Sequence, residues 1–503
     1  MASGIFGSRT FEPRVGRYVV FEDESELRKQ AECYVDEMWE DVVKDINSLV
    51  EIESVEDRAH ASEGAPFGPN PARALRRALG IAERLGLETT NLDGYIGYGD
   101  LKGASSRQIA TICHADIVPL GSGWHYDPLS VTRREGYLIG RGVTDDKGPL
   151  VLSLWAAHFF VRYVQSKGVV LPYTLRCIVG SNEETGMADV DHYLEVEDEP
   201  IFCFSPDAEF PLICGEKGHF TARVTSGDLD VRATTIVDFN AGLATNAIPG
   251  EATAVVAVPA DALVATSGLE LSDAGTDEWG RPCTRIHATG RGGHAAMPAG
   301  TVNAIGLIAD CLLDSGIDLG VAEPFVRFQR MLVEDSSGGS LGIATSDDKF
   351  GPLTVIGGTV SCEREGDRLR LTQSLDSRYP TSLAGDELYA QVNARAEALG
   401  LTVVEHFGAD PFYIEPSSPV IRACVESYQE VFDSDLEPIT IGGGTYARHF
   451  SNAAAFGPLD TRVKDPEWAG PEHGADEAVS EAVMKKALVT YILAIARIMK
   501  LEL

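Results

Sequence analysis

Apolar residues near the start of the chain recur at intervals of three and four positions, which is the spacing of a helix that buries one face. The recurring positions are Leu27, Ala31, Val35, Met38, Val42, Ile46 and Leu49. They predict a long first helix, with Asp23 or Ser25 as the residue that caps its N-terminus.

Further along, short apolar runs alternate with longer helical patterns up to about Phe204. The predicted helices lie around residues 72–85 and 148–166, and the predicted strands are 108–113, 174–179 and 201–204. This alternation is typical of a doubly wound α/β sheet that carries helices on both faces. Ligands of this fold class bind beyond the carboxyl ends of the strands.

The character of the sequence changes at about Gly218. Runs rich in Val and Thr, such as 252–258 and 353–360, are interrupted by Gly, Asp and Ser, with helical patterns near 303–313 and 388–398. After about Pro416 the chain returns to helix, and a last helix is predicted for 477–499. We therefore predict a doubly wound α/β catalytic domain of residues 1–217 and 417–503, interrupted by an inserted α+β lid domain of residues 218–416.

The overall composition narrows the class of protein. Lys and Arg number 42 against 76 Asp and Glu, and the formal net charge of −34 disfavours binding to nucleic acid or to anionic lipid surfaces. Nine scattered cysteines, an odd number, predict reduced and buried thiols. Residues 1–20 lack a signal-peptide pattern, and no segment approaches the run of about 18 apolar residues that a membrane helix needs. We therefore expect a cytoplasmic protein without membrane spans.

Polar residues follow three of the predicted strands directly. His114 and Asp116 come after the first of these strands, Glu183 and Glu184 after the second, and Asp207 after the third. Because a doubly wound sheet brings the carboxyl ends of its strands to one edge, these side chains are expected to lie close together.

Two more candidates complete this group. Asp145 and Asp146 occupy a loop that leads into a helix, where backbone N–H groups and the helix dipole stabilise carboxylates, and His473 lies late in the chain. Two histidines with three or four carboxylates suit zinc, manganese or cobalt, and one carboxylate can bridge two such ions about 3.5–4 Å apart. A spare glutamate beside a ligand is then a natural general base.

Each of these residues also has an ordinary structural interpretation. His114 can be a histidine satisfied by a carbonyl at a strand end, and the two glutamates can form a solvated acidic turn. Asp145 and Asp146 can simply cap the helix that follows. The metal site is favoured because unpaired carboxylates beside apolar strands are costly to desolvate without a cation.

Three ordered motifs resemble one family of enzymes, the dinuclear metallopeptidases that include aminoacylase, carboxypeptidase G, carnosinase and the bacterial dipeptidase PepV. The motifs are His114-Ala115-Asp116-Ile117-Val118-Pro119, Gly140-Arg141-Gly142-Val143-Thr144-Asp145-Asp146-Lys147-Gly148-Pro149 and Glu183-Glu184-Thr185-Gly186-Met187. The resemblance spans nearly the whole chain and is strongest for PepV-type dipeptidases.

The resemblance implies two bound divalent metal ions, with zinc as the first expectation and manganese or cobalt as alternatives. The implied ligands are His114, Asp145, Glu184, Asp207 and His473, with Asp145 bridging the two ions. Asp116 is then expected to orient His114, and Glu183 to take a proton from water and pass it to the departing amine.

The predicted lid domain carries further matches. Gly293-His294-Ala295-Ala296-Met297-Pro298 resembles the lid histidine motif of the family, although Gly300 comes one position earlier than in the commoner pattern. The match implies that His294 contacts the oxyanion, with Asn246 as a weaker candidate of the same kind. Arg378 is implied to bind the substrate carboxylate or the oxyanion. The structural alternatives are a turn amide for Asn246 and a surface cation for Arg378.

A glycine-rich loop, Gly442-Gly443-Gly444-Thr445-Tyr446-Ala447-Arg448, resembles the loop of the family that receives a free carboxylate. Glycine permits a close approach of the backbone to such a group. The substrate-binding residues implied here are Gly443, Gly444, Thr445 and Arg448.

The leading hypothesis is therefore a dinuclear metal-dependent dipeptidase that acts on small peptides. The alternatives are a deacylase of N-acyl amino acids or a related amidohydrolase, and a catalytically idle relative that binds peptides. Retention of Glu183 argues against the idle relative, because binding alone does not need a base. The predicted lid is nearly twice as long as that of the smaller relatives. The resemblance to PepV-type enzymes therefore implies a self-sufficient monomer, with a homodimer as the alternative.

Overall fold

The computed structural model describes residues 24–503, and the elements of that range are as follows. The helices are α1 Glu24–Val50, α2 Pro69–Arg84, α3 Lys147–Lys167, α4 Ala188–Val196, α5 Ala304–Asp314, α6 Glu323–Glu334, α7 Gly385–Ala398, α8 Pro419–Phe432 and α9 Glu481–Ile498. The first strands are β1 Glu88–Leu92, β2 Ile96–Leu101, β3 Ser105–His114, β4 Thr132–Arg134, β5 Tyr137–Ile139, β6 Tyr173–Gly180, β7 Phe202–Ser205, β8 Ala208–Glu209 and β9 Ile213–Glu216.

The strands of the middle of the chain are β10 Gly218–Asp230, β11 Ile236–Ala241, β12 Ala247–Ile248, β13 Glu251–Val256, β14 Leu269–Thr276, β15 Pro282–Thr289, β16 Gly293–His294, β17 Ser346–Asp347, β18 Gly351–Pro352, β19 Thr354–Glu365, β20 Arg368–Tyr379, β21 Thr402–Ala409 and β22 Phe412–Tyr413. The last strands are β23 Ile439–Ile441, β24 Ala453–Ala455, β25 Pro458–Leu459 and β26 Ala478–Ser480.

These elements form two compact units within the described residues. The first unit covers 24–214, 414–439 and 445–503, and the second covers 215–413 and 440–444. The division of the chain into a catalytic domain and a lid domain, at the boundaries given above, stays a prediction.

The first unit is built on a sheet in which β1, β2, β6, β3, β7, β24 and β9 are neighbours in that order. The central strands β6, β3, β7 and β24 run parallel, whereas β1, β2 and β9 pair antiparallel at the two sides. Helix α3 packs against β3 as well as against α1 and α9, and its first residues are buried on every side. The parallel core sets the ends of β3, β6 and β7 side by side, where the site is found.

The second unit is an antiparallel sheet of eight strands in the order β14-β15-β13-β11-β19-β20-β10-β21. Helices α5, α6 and α7 pack on this sheet and close a core of aliphatic and aromatic side chains. The predicted fold class, a doubly wound α/β sheet with an inserted α+β part, is confirmed.

Several details differ from the sequence predictions. Asp23 lies outside the described residues, and Ser25 lies inside α1 instead of capping it. All nine cysteines are free, but Cys33 is exposed and Cys362 only half-buried, so the prediction of buried thiols is wrong for Cys33. Within 24–503 no helix combines the length and the apolar character needed to cross a membrane.

Candidate metal centre

Three neighbouring parallel strands deliver most of the predicted site residues. His114 is the last residue of β3, Glu183 and Glu184 lie in a short 3-10 helix after β6, and Asp207 follows β7 by two positions. Because β3 pairs in parallel with both β6 and β7, these three strand ends meet at one edge of the sheet. The structure thus brings the predicted residues together.

Asp145 lies at the middle of this cluster. Its Oδ1 is 3.0 Å from His114 Nε2, and Asp207 Oδ2 is 3.5 Å from the same nitrogen. Its Oδ2 is 2.7 Å from His473 Nε2, and Glu184 Oε2 is 3.2 Å from that nitrogen. One carboxylate is therefore shared by two donor groups, each consisting of a histidine and a further carboxylate.

Within residues 24–503, two of the candidate ligand atoms lack hydrogen-bond partners, as expected of atoms that bind a cation. His114 Nε2 and Glu184 Oε1 are buried and have no hydrogen-bond partner among the described residues, although carboxylate oxygens lie close to the imidazole. Ligand atoms that converge without the alignment of a hydrogen bond are expected around a cation. The mixture of imidazole nitrogen and carboxylate oxygen suits zinc, manganese or cobalt.

The electrostatics of the cluster follow from crowding acidic groups in a buried place. Burial opposes ionisation of Asp145, but the imidazoles of His114 and His473 beside its two oxygens outweigh this effect and lower its pKa. Hydrogen bonds to Asp145 and Glu184 raise the pKa of His473 to about 11. Burial, reinforced by the charge of Asp145, raises the pKa of Asp207. Cations at this place relieve the repulsion among the carboxylates.

Asp116 holds two parts of the site together. Its carboxylate accepts hydrogen bonds from the backbone N–H groups of Glu183 (3.2 Å) and Glu184 (3.1 Å). His114 Nδ1 lies 3.1 Å from the carbonyl oxygen of Asp116 and 3.4 Å from its carboxylate. The residue predicted to orient His114 therefore also fixes the turn that carries both glutamates.

The side chain of Asp146 does not cap the helix that follows it, which was the structural alternative in the sequence analysis. It precedes α3, but its side chain caps nothing there; its Oδ2 accepts from the backbone N–H of His114 at 2.9 Å instead. Its other oxygen is buried without a hydrogen-bond partner among the described residues. Together with His114 and Asp207 it forms a second arrangement of possible metal donors.

Glu477 is a supporting residue of the site whose partners the sequence did not identify. Its buried carboxylate accepts from the backbone N–H groups of Gly142, Thr144 and Asp145 and pairs with Arg141 Nη1 at 2.7 Å. Arg141 in turn donates to the carbonyl of His473 at 3.2 Å. This ion pair fixes both the loop that carries Asp145 and the loop that carries His473.

The loop of His473 is held in an unfavourable backbone conformation. His473 has a φ of 60°, in the left-handed region that residues with a Cβ seldom adopt. Such a conformation costs about 1–3 kcal/mol and persists only where the surroundings determine it. The hydrogen bond from Arg141 to the His473 carbonyl supplies part of that support.

Comparison with known proteins identifies the family of the chain. The sequence pattern of peptidase family M20/M25/M40 matches residues 110–497 of this chain. This range contains every predicted metal ligand. The chain belongs to this family. Membership implies a hydrolase that acts on peptides with divalent metal ions.

Individual members of the family are also similar over most of the chain. The Beta-Ala-Xaa dipeptidase of Lactobacillus delbrueckii subsp. lactis is 32% identical over 423 residues, which cover 83% of this chain and 88% of that protein. Human carnosine dipeptidase 1 has a TM-score of 0.53 at 14% identity and covers 94% of this chain and 100% of its own. The dipeptidase Dug1p of Saccharomyces cerevisiae has a TM-score of 0.53 at 12% identity, with 95% and 99% covered. These two structures support the fold.

Glu183, the predicted general base of this M20 chain, lies beside the donor cluster. Its backbone N–H is held by Asp116. Burial raises the pKa of its carboxyl well above the usual range, and the charges of Asp207 and Glu184 reinforce this, while His114 opposes it. The neighbouring ligand Glu184 has a raised pKa for the same first reason, burial.

Tyr446 connects the loop after Gly444 to the glutamate turn. Its hydroxyl donates to the buried Asp189 at 2.5 Å, and Asp189 also accepts from the backbone N–H groups of Ser181 and Asn182. A Cβ at Gly180 would lie 2.1 Å from the Tyr446 hydroxyl, so only glycine fits there. Burial raises the pKa of Asp189 to about 6.

The predicted carboxylate loop is divided between the units. Gly443 and Gly444 belong to the second unit, and Thr445 and Arg448 belong to the first. Thr445 caps a short 3-10 helix by accepting from Ala447 N. A contact of these four residues with a substrate carboxylate stays a prediction.

His294 and Asn246 lie together in the second unit. The short strands β12 and β16 pair Ala247 with His294, and the Asn246 carbonyl accepts from Ala295 N at 2.9 Å. Ala295 is fully buried beside Ile248 and Ile356, which anchors this loop, whereas the His294 and Asn246 side chains are exposed.

His294 is set up as a hydrogen-bond donor. Its Nδ1 accepts from Ala296 N at 3.2 Å, so in the neutral ring the proton is on Nε2. Burial of part of the ring and the charge of Arg378 lower the pKa of His294, which favours the neutral form.

Arg378 is not a surface cation. Only 11% of its side chain is exposed, and it pairs with Asp376 at 2.9 Å. The alternative considered for Arg378 in the sequence analysis is therefore wrong, while its role toward a substrate stays a prediction.

Proposed function

We propose that the protein is a dipeptidase that cleaves the amide bond of small peptides with two divalent cations. The observation that carries this proposal is the position of Asp145, whose two oxygens face two separate donor groups. The similarity to a protein named Beta-Ala-Xaa dipeptidase supports the choice of dipeptides among the substrates of peptidases.

His114, Asp207, His473 and Glu184 would hold the cations on either side of Asp145, and zinc is the first candidate. When bound, the cations supply Lewis acidity toward the scissile carbonyl and lower the pKa of water. Asp116 and Glu477 keep the ligand loops in place, so that little reorganisation is needed when the charge on the substrate develops.

Glu183 is proposed as the group that moves the proton. As a carboxylate it accepts a proton from the attacking water, and it then gives this proton to the amine that leaves. Its place on the turn held by Asp116 keeps it next to Glu184.

His294 is proposed to donate its Nε2–H to the oxyanion, since its Nδ1 already accepts from the backbone. Asn246 is proposed as a weaker donor of the same kind. Arg378 and the loop residues Gly443, Gly444, Thr445 and Arg448 are proposed to receive the free carboxylate of the dipeptide. The protein is further proposed to be a cytoplasmic monomer.

The proposal is tested with metal-free protein reconstituted with zinc, manganese or cobalt. Release of free amino acids is followed for dipeptides, for tripeptides and for N-acyl amino acids, and metal content is measured in parallel. Metal-dependent cleavage of dipeptides in preference to the other two classes is expected. Cleavage of only the N-acyl amino acids would assign the protein as a deacylase, and equal cleavage of longer peptides would contradict a dipeptidase.

A further inference from the structure

Asp376 and Arg378 form a charge pair on one face of the second unit's sheet. They are two residues apart on β20, so their side chains point to the same side. Arg378 lies opposite His219 of β10 and Thr354 of β19, and Asp376 lies opposite Thr221 and Ile356. Because β20 has a neighbouring strand on each side, the backbone that carries both charges is fixed.

Asp376 holds the guanidinium through two hydrogen bonds. Arg378 Nε donates to Oδ1 at 2.9 Å, and Nη2 donates to Oδ2 at 3.3 Å. The Thr221 hydroxyl donates to the same Oδ2 at 3.1 Å. Only 2% of the Asp376 side chain is exposed, so its carboxylate has no room to turn away from the guanidinium.

The donors of Arg378 can be counted one by one. A guanidinium has five N–H groups: one on Nε, two on Nη1 and two on Nη2. Asp376 takes the Nε–H and one Nη2–H, and the carbonyl of Gly442 takes one Nη1–H at 3.4 Å. Among the described residues, Nη2 keeps the N–H of the terminal edge and Nη1 keeps one N–H, so both terminal nitrogens can still donate to a carboxylate.

We propose that Asp376 is a positioning residue that turns the terminal edge of Arg378 toward the free C-terminal carboxylate of the substrate. This inference rests on the proposed dipeptidase function, and it adds the source of the preference for a free carboxylate. A guanidinium that is already oriented loses little side-chain freedom on binding. Without Asp376, the flexible side chain presents its Nε edge and its terminal edge in changing directions.

The test compares a dipeptide with its C-terminal amide on zinc-loaded enzyme. Wild type is expected to prefer the free acid, and Arg378→Lys is expected to lose this preference. Asp376→Asn, which leaves Arg378 in place, is expected to lower kcat/KM for the acid up to about 100-fold, mainly through KM, and to change the amide little. Asp376→Glu, which keeps the charge, is expected to recover part of the loss.

A second buried Asp–Arg pair in the same unit serves as a control. It distinguishes loss of the Arg378 orientation from a general loss of stability. Asp277 is 5% exposed and pairs with Arg281 at 2.5 Å, so Asp277→Asn removes a comparable buried carboxylate. Its ratio of acid to amide activity should equal that of wild type. If Asp376→Asn does not fold, Thr221→Val removes only the hydroxyl that fixes Oδ2, and a smaller fall of the same ratio is expected.

The outcomes are distinguishable from a failure of the proposed function. An Asp376→Asn enzyme with the ratio of wild type, or with equal losses on acid and amide, overturns the positioning role while the dipeptidase assignment stands. A wild type that cleaves dipeptides but does not prefer the acid overturns the carboxylate role of Arg378 and with it this inference. A wild type without any dipeptide cleavage overturns the proposed function itself.

Discussion

The two units of the molecule hold their polar side chains in opposite ways. In the first unit, His114 and Asp146 are fully buried, and the backbone around the donor cluster is tied by Asp116 and Glu477. In the second unit, His294 and Asn246 are exposed, and only the loop beneath them is anchored, through Ala295.

The difference corresponds to two requirements of a metal-dependent hydrolase, which are to bind cations and to recognise a substrate. Side chains that hold cations gain from being fixed before binding, because the desolvation cost of buried carboxylates is offset when the cations bind. Side chains that recognise a substrate must stay accessible to it, so they are fixed through the backbone or through one partner. Arg378, for which we propose such a role, is held by Asp376. The experiments below change one side of the comparison at a time.

The largest expected effect comes from Glu183, the proposed proton carrier of the first unit. Glu183→Gln keeps the shape of the side chain and removes the base, so kcat should fall by about 10³- to 10⁴-fold. Metal content, measured by mass spectrometry of the purified protein, should be unchanged because the ligands remain. The exposed Glu195 on α4 supplies the control, since Glu195→Gln should behave as wild type. Loss of the metals in the Glu183→Gln enzyme would instead make Glu183 a ligand.

The second unit gives the next largest effect. His294→Ala removes the proposed donor to the oxyanion, so kcat should fall by about 10²-fold with a smaller change of KM. The melting temperature should hardly change because the ring is exposed. His287→Ala, at a half-buried histidine of β15, is the matched change outside the loop and should leave kcat unaffected. Equal rates for His294→Ala and wild type would remove this histidine from the proposed mechanism.

Support of the ligand loops should affect metal affinity more than chemistry. Glu477→Gln places an amide among four donors and breaks the pair with Arg141, so metal affinity should fall by about 10- to 100-fold. Titration with zinc in a competing chelator measures this. Asp100→Asn is the matched control, because Asp100 is a buried carboxylate that pairs with Arg176 and does not contact the ligand loops. Unchanged affinity in the Glu477→Gln protein would contradict a supporting role.

Periodic patterns and the edge rule for α/β sheets explain what could be predicted from the sequence. The predicted strand 174–179 and helix 148–166 correspond to Tyr173–Gly180 and Lys147–Lys167 in the structure. The convergence of His114, Glu184 and Asp207 followed from one property: parallel strands end at the same edge. Such features depend on local patterns and on a general topological rule.

Other features depend on contacts between distant parts of the chain. The carboxylate of Glu477 reaches the backbone of Gly142, which is 335 positions away, and no local pattern identifies this pairing. The partners of Asp146 were missed for the same reason, because a residue before a helix resembles a cap. Helix α6 was not predicted; its second residue is Pro324, which is favourable in the first turn of a helix but in a sequence is easily taken for a break.

A small pH effect on stability is expected away from the donor cluster, at His158 on α3. Burial lowers the pKa of His158 to about 4, and Arg162 and Arg84 add to this; its Nδ1 lies 3.0 Å from the Tyr34 hydroxyl. In the unfolded chain a histidine has a pKa of about 6.5, so between these values the unfolded state binds more protons. The contribution of His158 is therefore fully present above pH 6.5 and is lost as the pH falls toward 4.

Replacing His158 should change the pH dependence of the unfolding free energy without changing catalysis. Because His158 is only partly buried, solvent screening reduces its contribution between pH 7.5 and pH 5 to about 1 kcal/mol. Urea unfolding at both pH values should show a smaller pH dependence for His158→Gln than for wild type, by that amount, with kcat at pH 7.5 unchanged. His60→Gln, at an exposed histidine, should retain the full dependence. An identical pH dependence in wild type and His158→Gln would mean that His158 titrates alike in the folded and unfolded chain.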